Sequence, residues 1–295
     1  MNCVRALTFG IGLLAAFPAL AVPTAEVMGL QMPAWVGRDG HRRPLEAGMV
    51  LTQGEEIRTG IAARVLVRFP GGELNLGERA RITLAQMRPA RSDRMYRTML
   101  IVRRGAFRIA NVPDKDSLHH DINVHLGTAH VHILSGDVWG RVGMRSAVIC
   151  LVQGQIAIRD PVAGQLDMEK PMTLLRFDQT PHPLRVRPAN PQRFQSWSAQ
   201  TKIIPGEGLT VPGGAWFVQL AAQKRQRDLY PMQHRLVTAG YPVKMTKARV
   251  KGRIFYRLRI GGFGSETDGR IFAGRMREHY GVAVPWVVRG HGRPN

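Results

Sequence analysis

The hydrophobic rhythm of this chain changes once, at Gly214, and that change limits what the chain can fold into. From Trp35 to Phe177 it reads as short runs with period-two alternation: RVLVRF (64–69), RITL (81–84), MLIVRRGAFRI (99–109), AHVHIL (129–134) and AVICLVQGQIAIR (147–159). Gly, Pro and Asp turns separate them, the pattern of strands in an antiparallel sheet. Helical periodicity is nearly absent, so an all-β domain is expected over 34–177. Within it Leu45, Gly48, Leu51, Gly54, Ile57 and Gly60 recur every third residue. That spacing suits tight successive turns, where glycine adopts backbone angles that other residues resist. The Pro-rich stretch 178–214 reads as an extended linker, with Phe194 and Trp197 as candidates to pack back on the first domain.

Beyond Gly214 the order becomes strand, helix, strand, strand, helix, strand, over residues 215–290. WFVQLAA opens it. Asp228 is placed to cap a helix reaching Ala239, with Leu229, Met232, Leu236 and Val237 on its buried face. YPVKMTK and IFYRLRI flank a turn at ARVKGR. SETD provides a capping box for a second helix that buries Phe272, Ala273, Met276 and Tyr280 and stops at Gly281, and VAVPWVV is the last strand. Such a βαββαβ unit folds as an antiparallel sheet with both helices on one face, giving an α+β domain whose other face is open. Alternation sends Trp216, Val218 and Leu220 toward the helices and Phe217, Gln219 and Ala221 to the open face. In the third strand Ile254, Tyr256, Leu258 and Ile260 go inward, leaving Phe255, Arg257 and Arg259 outward. The first and third strands are neighbours in this topology, so Phe217, Gln219, Phe255, Arg257 and Arg259 form one exposed platform. An aromatic ring beside amide and guanidinium groups suits a sugar: the ring stacks on C–H faces and the polar groups read hydroxyl, amide and carboxyl.

Charge and compartment narrow the ligand. The chain has 295 residues and a formal net charge of +21. Residues 216–290 hold 15 Lys and Arg against 4 Asp and Glu, an excess of +11. Long-range attraction of that size favours an anionic polymer and weakens with salt. The first residues, MNCVRALTFGIGLLAAFPALA, carry one Arg, an apolar stretch from Ala6 to Phe17 and the small-residue pattern Ala19-Leu20-Ala21. This is the pattern of a signal peptide cleaved after Ala21, so an exported, periplasmic protein is expected. No later stretch approaches the roughly 18 uninterrupted apolar residues of a membrane-spanning helix, so no transmembrane segment is expected after cleavage. Cys3 is lost with the leader, and Cys150 alone, in an apolar run, excludes a disulfide framework.

Two resemblances follow from these motifs. LEAGMVLTQGEEIRTGIAARVLVRFPGGELNLGERARITL, with the later GAFRI, DINVHLGTAHVHILSGDVWGRV and LVQGQIAIRD, resembles a FecR-type domain over 34–177. The resemblance implies an all-β extracytoplasmic domain. Well-known members signal to a sigma factor through a membrane helix and a cytoplasmic segment; neither is visible here, so the signalling role does not transfer. WFVQLAA, the helix ending LVTAG, YRLRIGGF and the helix GRIFAGRMREHYG resemble a SPOR domain. That resemblance implies binding to peptidoglycan glycan strands stripped of stem peptides, such as accumulate where amidases work during division. Gln219 falls on the family's sheet glutamine, Arg257 on its third-strand arginine and Phe255 on a contact position often aromatic. Ala222 departs from the family, standing where a contacting serine is usual.

The rival classes are weaker. KGRIFYRL has the basic-glycine-aromatic look of an RNA-recognition strand, but an exported protein rarely meets RNA, so no nucleic-acid partner is expected. His119, His120, Asp121, His125, His130 and His132 lack the fixed spacing of a zinc site, and no metal or cofactor is expected. No nucleophile elbow, HExxH or phosphate loop appears, and nothing marks Glu73 and Glu78 as a catalytic pair, so no enzyme activity is expected. Two readings remain: a non-catalytic wall-binding protein whose first domain is a scaffold or holds envelope or division proteins, or a periplasmic sensor whose first domain carries the function and whose C-terminal unit is a tether.

Overall fold

The computed structural model describes residues 25–89, 95–111, 119–161, 164–178 and 184–290; the leader expected at 1–21 lies outside the described residues. Period-two alternation becomes β1 (Ala25–Gln31), β2 (Ala34–Arg38), β3 (His41–Pro44), β4 (Val50–Leu51), β5 (Glu56–Thr59), β6 (Arg64–Phe69) and β7 (Gly72–Leu76). It continues as β8 (Arg81–Pro89), β9 (Met95–Asn111), β10 (His119–Leu126), β11 (Ala129–Val142), β12 (Ser146–Asp160), β13 (Gly164–Met168) and β14 (Thr173–Asp178). The long β9 is the spine of this region, antiparallel to β7, β8 and β11 and parallel to β10. Alternate residues along these strands, such as Val65 and Val67, Ile122 and Val124, or Ile156 and Ile158, are buried in one core.

The three-residue rhythm has a structural cause. Leu45, Leu51 and Ile57 are fully buried, each contributing about 1.5–3 kcal/mol of burial. Gly48 and Gly54 turn the chain between them at φ of 79° and 88°, the left-handed region that a β-carbon disfavours. The β-region begins nine residues before the expected boundary at 34, because β1 pairs with β4 and β6.

The stretch expected as an extended linker is folded instead. Its described part holds β15 (Arg187–Pro188), helix α1 (Pro191–Ala199) and β16 (Leu209–Thr210). Asn190 caps α1 by accepting from the Arg193 amide. Phe194 and Trp197 pack on the satellite core of Ala106, Trp139, Cys150 and Ala189, and Trp197 stacks on Trp139 at 5.3 Å between centroids. Pro191 does not stop this helix, because it sits in the first helical turn, where its missing N–H costs nothing.

The C-terminal unit follows as β17 (Trp216–Gln223), α2 (Tyr230–Thr238), β18 (Lys244–Val250), β19 (Arg253–Phe263), α3 (Glu266–Tyr280) and β20 (Trp286–Arg289). Pairings β18–β19, β19–β17 and β17–β20 are all antiparallel and give the expected sheet. Ser265 caps α3 by accepting from the Asp268 amide, and Gly281 ends it in the left-handed conformation. Asp228 does not cap the first helix: it lies in a 3-10 turn, Gln226–Leu229, and α2 starts at Tyr230 without a side-chain cap. The last strand is shorter than VAVPWVV, starting only at Trp286.

The halves are hydrogen-bonded together. Strand β16 pairs with β1 through Leu30 and Gln31 and with β19 at Phe263. The Gln31 side chain donates to the carbonyls of Ile204 and Glu207 at 3.1 Å each. From the other side the Asp268 carboxylate, in a residue only 2% exposed, accepts from the amides of Gly206 and Leu209 at 2.8 Å each. Trp35 adds a bond from its indole N–H to Thr238 O at 3.1 Å.

Asp268→Ala leaves two half-buried amides without their acceptor and is expected to destabilise the folded chain by about 1–3 kcal/mol. Urea denaturation of the full chain measures this, and limited proteolysis should cut first at 204–209. An unchanged midpoint and cleavage pattern would mean that this carboxylate does not hold the loop.

Candidate functional site

The two faces of the C-terminal sheet differ in chemistry. Val218, Leu258 and Ile260 are fully buried on the inner face. There α3 comes so close that a β-carbon on Gly269 would lie 2.8 Å from Val287. Helices α2 and α3 share that side, joined by Arg235 donating to Tyr280 O at 3.0 Å. The four acids of this unit stay away from the opposite face: Asp228 is in the 3-10 turn, and Glu266, Asp268 and Glu278 are in α3.

Register defines the open face. One row runs Lys244, Arg259, Gln219 and Trp286 across the four strands. The next holds Thr246, Arg257 and Ala222, and the one beyond it Ala248 and Phe255. All five expected platform residues therefore lie on one face, at the central pair of strands.

Two details differ from simple alternation. A bulge between Gln219 and Ala221 shifts the phase, so Ala221 pairs with the inward Leu258 and Ala222 takes the outward place opposite Arg257. Alternation alone put Ala221 outward. Gln219 also is not exposed as expected: it retains only 8% exposure. Its Oε1 accepts from Arg259 Nε at 3.4 Å and Nη2 at 3.3 Å, so the amide is tucked among its row neighbours. Its geometry is thus set before any ligand arrives, which lowers the ordering cost of recognition.

Phe217 is half-buried on the same face. Its ring lies over Gly261 and Gly290, where a β-carbon would come within 2.3 and 2.4 Å of it. Phe255 is half-buried beside Ala248 on the outer edge. Ile254, expected inward, is 38% exposed because β18 and β19 extend past the helices as a hairpin.

Arg257 and Arg259 have no carboxylate partner among the described residues. Burial, and then the Arg257 charge, lower the Arg259 pKa from its ordinary value. That repulsion is relieved when an anion arrives. Lys244 differs, pairing with Glu46 of the β-region at 2.6 Å.

Sequence reasoning missed Trp286. It pairs with Gln219 and, at 58% exposure, offers the most open ring on this face. The tryptophan in the last strand was visible, but its face depends on a register that no local pattern sets. Elsewhere Asp121 accepts from Arg97 and Asn123 and sits 3.2 Å from His132, while the His125 and His130 rings meet at 4.0 Å.

Residues 212–289 match the SPOR domain family, so the C-terminal unit is a SPOR domain. Comparison with curated proteins finds no match. Two solved structures of a protein provisionally described as an anti-sigma factor, from Parabacteroides distasonis ATCC 8503, are similar at 11% identity. One covers 69% of this chain and 97% of its own, the other 68% and 96%, each with a TM-score of 0.39.

Trp286 should dominate solvent access to indole emission. Acrylamide quenching of the full chain is expected to fall by about half in Trp286→Phe, because the other described tryptophans are buried or half-buried. Unchanged quenching would mean that this edge of the platform is covered.

Proposed function

We propose that this protein is a non-catalytic component of the cell envelope that binds peptidoglycan through the open face of its SPOR domain, and that its ligand is glycan stripped of stem peptides. One observation carries the reading. The open face gathers Gln219, Arg257, Arg259, Phe255, Phe217 and Trp286 with no acidic residue among them. Muramyl carboxylates on peptide-free strands supply the missing anions, and the sugar C–H faces suit the rings. On intact strands the same carboxyls are tied up as neutral amides to the stem peptides, which would also crowd a flat sheet.

Several features support the rest of the reading. The leader-like first 21 residues support export to the periplasm. Among the described residues no helix is long and apolar enough to cross a membrane. The β-region is read as a FecR-type scaffold that offers a surface to envelope or division proteins. The acids first considered for glycoside cleavage are engaged structurally: Glu73 pairs with Arg68 at 3.0 Å, and Glu78 accepts from the Ala62 amide at 2.9 Å.

The full chain should co-sediment with purified sacculi, more so after an amidase removes the stem peptides. Gln219→Ala, Arg257→Ala and Trp286→Ala are each expected to weaken binding about tenfold, the equivalent of about 1.4 kcal/mol. Pelleting that ignores amidase and all three substitutions, yet disappears in moderate salt, would reduce the SPOR face to a basic surface.

A further inference from the structure

A second site with the same chemistry lies on the β-region, outside the SPOR domain. Where β12, β14 and β15 run beneath α1 they leave a cleft of about 660 Å³. Its floor follows from register: Val148 pairs with Arg176, Cys150 with Leu174, and Leu174 with Arg187, so these residues share the sheet face turned away from the main core. Their neighbours Ile149 and Leu175 are fully buried on the other side. Helix α1 forms the opposite wall, contributing Arg193 and Trp197, with Asn190 at its cap and Arg185 on the approach.

The charge in this cleft is uncompensated. Of its four arginines only Arg176 has a carboxylate partner among the described residues, Asp178 at 2.8 Å, and Asp178 is the one acid lining it. Arg185, Arg187 and Arg193 face the cleft with no acid in reach among the described residues. Guanidiniums brought together without acids repel one another, and the arrangement gains stability from a bound anion. The aromatic wall is rigid, because Trp197 stacks at an interplanar angle of 10° on the fully buried Trp139. A fixed ring, an amide and three free guanidiniums within one concave site select a ligand with apolar C–H faces and repeated anionic groups.

We propose that this cleft is a second binding site for acidic glycan, which makes the chain bivalent toward the wall. The choice of glycan rests on the reading of the SPOR face given above. A bivalent chain gains avidity when both sites reach one sacculus, and it holds neighbouring strands together.

Calorimetric titration of the full chain with a peptide-free muramyl tetrasaccharide tests this. Two sites per wild-type chain are expected. Gln219→Ala with Arg257→Ala should remove one, and Arg187→Glu with Arg193→Glu the other, weakening that site at least tenfold. The milder Arg187→Gln with Arg193→Gln guards against misfolding, and Arg42→Glu with Arg43→Glu, of equal charge change, should keep both sites. A single site lost only with the SPOR variants overturns the cleft and leaves the SPOR reading intact; a single site lost only with the cleft variants does the reverse. Equal losses in the Arg42 and Arg43 control would show bulk charge alone and overturn the proposal. So would a 12-base-pair DNA duplex that occupies the cleft more tightly than the tetrasaccharide.

Discussion

Residues 204–210 are gripped by side chains from both halves of the molecule, and that grip ties one half to the other. Gln31 donates to two of the segment's carbonyls while Asp268 accepts from two of its amides. The backbone is thus turned with its acceptors toward the β-region and its donors toward α3. Neither partner can be replaced by packing alone, because buried backbone groups without partners are costly. The pairing of β16 with β1 and β19 extends the same restraint into the sheet. The Lys244–Glu46 ion pair also joins the halves, but it is exposed, and such pairs contribute about 0–1 kcal/mol. The directional bonds to the 204–210 backbone decide the geometry.

Charge segregation within the SPOR domain gives that geometry a purpose. Two of its four acids, Glu266 and Asp268, occupy the first turn of α3, where negative charge complements the helix dipole. Asp268 is then committed to the 204–209 amides and Glu266 to Arg270. The open sheet face keeps Arg257 and Arg259 unneutralised as a result. A net charge of +21 spread evenly would attract any polyanion weakly and without preference. The open face instead holds its charge locally, as Arg257 and Arg259 beside Trp286 and a preset Gln219.

Much of this was legible in the sequence because alternation and capping are local signals. RVLVRF became β6 residue for residue, and Ser265 and Gly281 bound α3 at the expected ends. The family match at 212–289 overlaps almost the whole span read as a βαββαβ unit. The errors share a different cause. Asp228 lost its capping role because a 3-10 turn intervened, and the described residues 184–214 folded because Phe194 and Trp197 found a partner in Trp139, over fifty residues earlier. The bulge after Gln219 moved Ala222, not Ala221, to the open face, and Trp286 acquired its place only through pairing with β17. Apart from the local turn at Asp228, these are set by contacts distant in sequence, which no window of neighbouring residues contains.

The bulge also bears on how Ala222 is understood. With unbroken alternation, position 222 would face the helices and its identity would matter only for packing. One extra residue in β17 places it opposite Arg257, exposed beside the guanidinium. A serine there adds a hydroxyl to the face, whereas alanine leaves a shallow apolar step between the guanidinium and the solvent. Recognition then leans harder on the rings of Trp286 and Phe255 and on the charge of Arg257, shifting the balance from hydrogen bonding toward stacking and electrostatics. If this face binds the proposed glycan, it discriminates less by sugar hydroxyl pattern than by whether the muramyl carboxyls are free and charged.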